Sequence, residues 1–243
     1  MNLDDELINQ RVDMHIIPGE VVSKDQYLEI LKSDWNERGK RNPDLYVWAG
    51  KERDVESFMW SGKHDFDTYF KPAYEQNSIR ADTILEIGCG MGRMTQFIYP
   101  YVNPSTYYAL DISPSLLERA ELLLPIDKYS ALRFITGGGN KIPIPDNSVD
   151  FAFEYIVFQH IPYAEIIDDY IHEIDRTLKK GGTFVGHFRD VGETSKEFTD
   201  SNTWHGCRYG SSRLYEIILD TALSVKRVTG AGTDNCWIHL LKK

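Results

Sequence analysis

Cysteine is scarce in this chain of 243 residues: Cys89, Cys207 and Cys236 are odd in number, widely spaced, and form no CxxC pair. That argues against a disulfide framework and against the common zinc and redox patterns, so no metal is expected. Long apolar runs are absent as well; nothing approaches the roughly 20 residues a membrane-crossing helix requires. Positive charge is in deficit, with 27 Lys and Arg against 37 Asp and Glu and a formal net charge of −10. A nucleic-acid substrate needs clustered cations, and the one basic concentration, ERGKR at 37–41, is short and interrupted. The opening residues MNLDDELINQ are acidic and lack the basic-then-apolar order of a secretory leader. The expectation is a cytoplasmic protein with neither a membrane nor a nucleic-acid partner.

What the chain does have is concentrated at residues 84–95, ILEIGCGMGRMT, an apolar run followed by glycines at 88, 90 and 92. A second apolar run, YYALD, ends in Asp111. A strand that enters a helix through a glycine turn lets backbone N–H groups approach a ligand, and an acid after the next strand can accept both hydroxyls of a ribose. The dinucleotide version of this arrangement is GxGxxG. Here the third glycine, Gly92, comes one position early and Arg93 follows it. Glu86, inside the first run, would repel a diphosphate and suits a cationic or zwitterionic ligand. The spacing therefore favours a ligand with an amino group and no phosphate. Cys89 sits within the turn, where a small side chain is required, and reads as a space-filler.

This stretch resembles the glycine-rich motif of class I S-adenosylmethionine (SAM)-dependent methyltransferases. The resemblance extends to KIPIPDNSVDFAFEYIVFQHI at 141–161, similar to the segment around the family's fourth strand, and to LKKGG at 178–182, similar to the turn before its fifth. It implies that Glu86 orients the methionine end of the cofactor, that Gly88, Gly90 and Arg93 lie along it, and that Asp111 binds ribose. The chain departs from the family after the third strand. Where many relatives carry an acid for the adenine amine, TGGGN at 136–140 has none. Backbone groups at Gly138 and Gly139, or the amide of Asn140, would have to serve, with Ile112 packed on the ring.

The resemblance also implies the fold class: α/β, a doubly wound, seven-stranded, mostly parallel sheet (Rossmann-like, antiparallel last strand) with an N-terminal helical extension, in strand order 3-2-1-4-5-7-6. Residues 1–80 would be the helical extension or lid, and 81–243 the SAM-binding methyltransferase domain. Apolar spacing from Lys24 to Arg38, with Ser23 as cap, predicts a first helix. A second is expected at about 44–59, and a third from SGKHDF at 61–66 to Gln76. Strands are expected near 83–87, 107–111, 132–136, 149–155 and 182–188, with helices at 92–100, 114–124 and 164–179 and proline stops at 100, 104 and 125. A 21-residue stretch, 189–209, has little periodicity, a length that is usually functional in a compact domain. A helix near 211–222 and two β-like runs close the chain.

Methyl transfer from a sulfonium needs alignment more than covalent help; orientation alone contributes about 7–11 kcal/mol. A base matters only where the acceptor must lose a proton. Glu154 and Tyr155, at the end of the fourth strand, are placed at the cofactor's edge. His160 is the candidate catalytic base, with a hydrogen-bonded histidine before Pro162 as the competing reading, and His187 is a second candidate. Trp35, Tyr46, His187, Trp204 and Tyr209 form the candidate wall for the substrate. The leading expectation is a SAM-dependent methyltransferase acting on oxygen or nitrogen of a small molecule. A protein or peptide acceptor and a non-catalytic SAM-binding module are the alternatives, and an NAD-dependent oxidoreductase is a remote one.

Overall fold

Local sequence signals open the first helix. In the computed structural model, which describes residues 23–41, 54–77, 80–191, 203 and 206–243, Ser23 Oγ accepts from the Gln26 N–H at 3.3 Å, and Gln26 Oε1 accepts from the Ser23 N–H at 3.0 Å. This reciprocal capping box starts α1, Lys24–Arg41. The Asp54 carboxylate caps α2, Val55–Asp65, accepting from the Ser57 N–H at 2.8 Å. The part of the expected second helix before residue 54 lies outside the described residues.

The second and third expected helices are one path. α2 runs through Ser61 and Gly62 into a π-turn, Phe66–Phe70, and on into α3, Lys71–Gln76. Gly62 is a packing residue rather than a breaker: a Cβ there would collide with the Arg93 carbonyl. Pro100 likewise does not stop a helix. It lies inside α4, Thr95–Val102, which ends at Asn103, a left-handed residue with φ 52°.

Seven strands form a single sheet: β1 Thr83–Ile87, β2 Thr106–Asp111, β3 Leu132–Thr136, β4 Val149–Glu154, β5 Leu178–Phe188, β6 Leu223–Thr229 and β7 Cys236–Lys242. Their order is β3-β2-β1-β4-β5-β7-β6. The first five run parallel, and β7 is antiparallel to both β5 and β6. LKKGG is counted within β5, but it is still a turn in effect: against β4 the register steps from Val149↔Leu178 to Phe151↔Thr183, two residues opposite five. The crossovers are α4, α5 (Pro114–Leu123) and α6 (Ala164–Thr177). α5 starts at the Ser113 cap with proline in its first turn, and α7, Ser211–Ile217, precedes β6. No helix among the described residues is long and apolar enough to cross a membrane.

Both faces of the sheet are covered, as buried parallel strands require. On one side α6, with Ile166, Ile167, Ile171 and Ile174, joins Tyr27, Leu28 and Leu31 of α1. On the other, Phe58, Phe66 and Phe70 join Ile84, Phe151 and Phe153. Phe70 is fully buried, with its ring edge-on to Phe153 at 5.0 Å and to Phe151 at 5.8 Å. The N-terminal helices thus share their cores with the sheet. Phe70→Ala is expected to lower the unfolding free energy by about 3–5 kcal/mol, measured by urea denaturation; a loss below about 1 kcal/mol would mean that this segment does not unfold with the sheet.

Candidate active site

The site begins where β1 ends. Gly88, Gly90 and Gly92 have φ of 74°, 55° and 82°, and a side chain on the first would collide with Val157, on the last with Leu124. Only glycine fits a turn so wound and so crowded. Two buried carboxylates brace it. Asp111, at the end of β2, accepts from the Gly90 N–H on Oδ2 at 2.8 Å and from the Ser113 N–H on Oδ1 at 2.9 Å. Glu86, within β1, accepts from the Thr95 hydroxyl at 2.6 Å and the Tyr107 hydroxyl at 2.7 Å, both on Oε2. Among the described residues no donor meets its Oε1. Burial raises the pKa of both acids, opposed at Glu86 by its hydroxyl donors and by nearby Arg93. Each carboxylate also raises the Cys89 thiol, adding to its burial, so Cys89 is no nucleophile.

Arg93 is held rather than free. Its Nη1 lies 2.6 Å from Asp65 Oδ2 at the end of α2, and both side chains are buried. The pair is neutral as a unit, so the excess charge around the turn is negative and fits a cation.

Glu86, Gly88, Gly90, Arg93, Asp111, Ile112, Gly139, Tyr155, His160 and Trp35 line one cavity that opens to solvent. Leu31 and Trp35 of α1 form part of its wall. α1 is fastened by hydrogen bonds from the Ser115 N–H to Asn36 Oδ1 and from the Ser115 hydroxyl to the Asn36 carbonyl. At Gly139, φ 85°, an added Cβ would press on Leu28 and Ile112, which shows how closely α1 lies over this loop.

The far side of the cavity is the segment after β4. Glu154 is fully buried and accepts from the N–H groups of Val157 at 2.6 Å, Phe158 at 3.1 Å and His187 at 2.8 Å. Its neighbour Ile156 is β-branched and left-handed at φ 61°, an outlier that surrounding structure must enforce. His160 ends a short 3₁₀ turn, with its Nε2 3.1 Å from Gln159 Nε2 and its ring 5.3 Å from Trp35, edge-on. Arg38 lies over the other ring partner, Trp35, at 4.8 Å.

Four sequence-based expectations are corrected by these positions. Glu154 does not reach the cavity, because strand alternation points Phe153 there and turns the carboxylate into the opposite layer. Asn140 donates to Asp169 at 2.8 Å, an acceptor shared with Lys24 of α1 at 2.7 Å, so its amide is engaged outside the cavity. Tyr209 is buried, its hydroxyl donating to Asp168 at 2.7 Å. His187 is buried behind Tyr155 and does not line the cavity. Tyr46 and Trp204 lie outside the described residues. Sequence reasoning missed Asp65, Thr95, Tyr107 and Ile156. For the first three the needed information is a contact between residues distant along the chain; for Ile156 no local signal exists, since an isoleucine there reads as strand.

Residues 85–186 match the family described as "Methyltransferase domain". An uncharacterised methyltransferase of Schizosaccharomyces pombe is 31% identical over 59% of this chain and 51% of its own. A fatty-acid O-methyltransferase of Mycolicibacterium smegmatis is 24% identical over 51% and 45%. The chain spans about half the length of these curated relatives. The crystal structure of Burkholderia thailandensis 1,6-didemethyltoxoflavin-N1-methyltransferase, with bound 1,6-didemethyltoxoflavin and S-adenosylhomocysteine, aligns over 93% of each chain at TM-score 0.65 and 15% identity.

Burial pushes the Glu154 carboxyl up from 4.5 to about 7 against the pull of its three donors. The folded state therefore holds this proton more tightly than the unfolded chain. The group's contribution to stability is fully present below pH 4.5 and is lost as pH rises through about 7. Urea midpoints measured across that window should fall with pH in the native protein, and the slope should flatten in Glu154→Gln; equal slopes would place the titration elsewhere.

Proposed function

We propose that this chain, a member of the class I S-adenosylmethionine-dependent methyltransferase family, transfers the methyl group of SAM to an oxygen or nitrogen of a small-molecule acceptor. The observation that carries the reading is the pairing of two buried carboxylates, Glu86 and Asp111, across a glycine turn at the mouth of one cavity. A turn in which side chains are excluded, with negative charge and, among the described residues, no free cation beside it, suits a sulfonium and an ammonium and disfavours a diphosphate.

The residue roles follow from position. Glu86 Oε1 is directed to the ammonium of the methionine moiety. Asp111 takes the ribose hydroxyls while its backbone bonds keep its carboxylate fixed, and Ile112 and Gly139 flank the adenine. Loop 155–160 carries Tyr155 and His160 to the side where the acceptor enters, and His160 is the candidate to receive an acceptor proton. The N-terminal helices act as the lid, with α1 above the adenine side and α2 fastened to the turn through Asp65 and Arg93. When bound, SAM supplies a methyl group already activated on sulfur. Tyr155 and His160 would position an acceptor oxygen or nitrogen beside that methyl group, and His160 would receive any proton the acceptor must lose. The protein's part is to orient and to exclude water.

The enclosure by Leu31 and Trp35 favours a small acceptor over a folded protein. Titration calorimetry tests the assignment: SAM and S-adenosylhomocysteine should both bind, and Asp111→Ala should weaken each by about tenfold or more, a loss of one charge-assisted hydrogen-bonding group. Absence of heat with either ligand on the native protein would remove the reading.

A further inference from the structure

The loop beyond β3 uses its polar groups within the protein. The Gly137 N–H donates to the Asp111 carbonyl at 2.8 Å and the Gly138 N–H to the Lys141 carbonyl at 3.3 Å. The Asn140 amide donates to Asp169 at 2.8 Å. Asp169 lies on α6, and one turn further along the helix Glu173 Oε2 accepts from the Ile142 N–H at 3.0 Å. Two residues of α6 therefore clamp the loop that carries Gly139, and Tyr170 stands between them in the chain.

Tyr170 is only 4% exposed, yet it lines the cavity together with Leu110, Ile112 and Gly139. Its ring packs against Phe158 at 5.5 Å. A buried tyrosine hydroxyl ordinarily finds a partner: Tyr107 donates to Glu86 and Tyr209 to Asp168, both at 2.7 Å. The Tyr170 hydroxyl has no hydrogen bond to a described residue and is not sealed off, so it opens on the cavity that its residue lines. Burial, then the charges of Asp111 and Glu154, push its pKa above the ordinary value, so the proton stays on the oxygen. In the field of those two carboxylates the O–H dipole turns its hydrogen toward them and offers the oxygen as an acceptor. An acceptor beside Gly139 suits an amine.

We propose that Tyr170 reads the base of SAM: its hydroxyl accepts a hydrogen bond from the exocyclic amine of adenine, a part that no acid in TGGGN can play. The inference rests on the methyltransferase reading above, in which Ile112 and Gly139 flank the ring. Base specificity then belongs to α6 rather than to the loop after β3. The Asp169–Asn140 and Glu173–Ile142 bonds hold that loop against the helix that carries the contact. A neutral hydroxyl is a weaker acceptor than a carboxylate, so the amine adds a modest factor to affinity.

Titration calorimetry tests it with two ligands, S-adenosylhomocysteine and its purine analogue, in which hydrogen replaces the exocyclic amine. The native protein should bind S-adenosylhomocysteine about three- to tenfold more tightly than the analogue, the range of one neutral hydrogen bond. Tyr170→Phe keeps the ring against Phe158 and removes the hydroxyl. It should lose that preference through weaker binding of S-adenosylhomocysteine, with its affinity for the analogue unchanged. Equal binding of the two ligands by the native protein overturns the proposal, whether or not the variant folds. So does a variant that keeps the preference, or one that weakens both ligands alike, which marks Tyr170 as a packing residue. If the native protein binds neither ligand, the methyltransferase reading falls, and this proposal with it.

Discussion

The Asp111 carboxylate joins two parts of the chain that the rest of the site is built upon. One oxygen holds the Gly90 N–H and the other the Ser113 N–H, so the turn after β1 and the exit from β2 are set at a single distance by one side chain. Burial makes such an acid costly unless its oxygens are bonded, and the two backbone donors meet that need without neutralising its charge. The consequences spread outward. Ser113 caps α5, Ser115 in the same first turn receives α1 through Asn36, and α1 then contributes Leu31 and Trp35 to the cavity wall.

Glu154 does for the opposite wall what Asp111 does for the turn. Its three backbone donors come from two segments, the loop after β4 and the end of β5. One buried carboxylate thereby fixes the spacing between Tyr155, His160 and His187, and supplies the constraint under which Ile156 can persist at φ 61°. A carboxylate that binds no ligand can still decide where the ligand-facing groups stand. Glu86 combines both roles, with one oxygen fixed by Thr95 and Tyr107 and the other without a donor among the described residues.

The N-terminal helices are tied into this frame by contacts of different strength. Asp65–Arg93 is a buried pair, and removing one partner of such a pair is far more damaging than the pair is stabilising. Lys24–Asp169 is partly exposed and contributes little by itself. Its interest is its location, since Asp169 also receives Asn140 beside the Gly139 loop. The segment is firmly seated through α2 and the π-turn, and more lightly through the start of α1.

Much of the fold was legible from residue pattern. Apolar runs of strand length, the capping residues Ser23 and Ser113, and the crowding of glycines between β1 and α4 are local properties, and each follows from short-range sterics and hydrogen bonding. The strand order and the antiparallel last strand came from resemblance, since periodicity does not rank strands in a sheet. For the candidate site, residue type and position along the strand pointed to Glu86, Gly88, Gly90 and Asp111, because the pattern there is local, a turn without side chains flanked by acids, and the structure places these residues together with Ile112 on one cavity. Direction was not legible. Whether Glu154 or Phe153 faces the cavity depends on which layer each side of β4 meets, and Asn140 and Tyr209 were claimed by partners in α6 that lie 29 and 41 residues away. The sequence alone determined that a glycine turn between two acids exists, because the chemistry of backbone torsion and charge is carried by neighbouring residues. Tertiary structure alone decided that Arg93 is neutralised by Asp65 and that His187 is buried away from the cavity, because pairing and burial are properties of groups brought together only when the sheet and its helices pack.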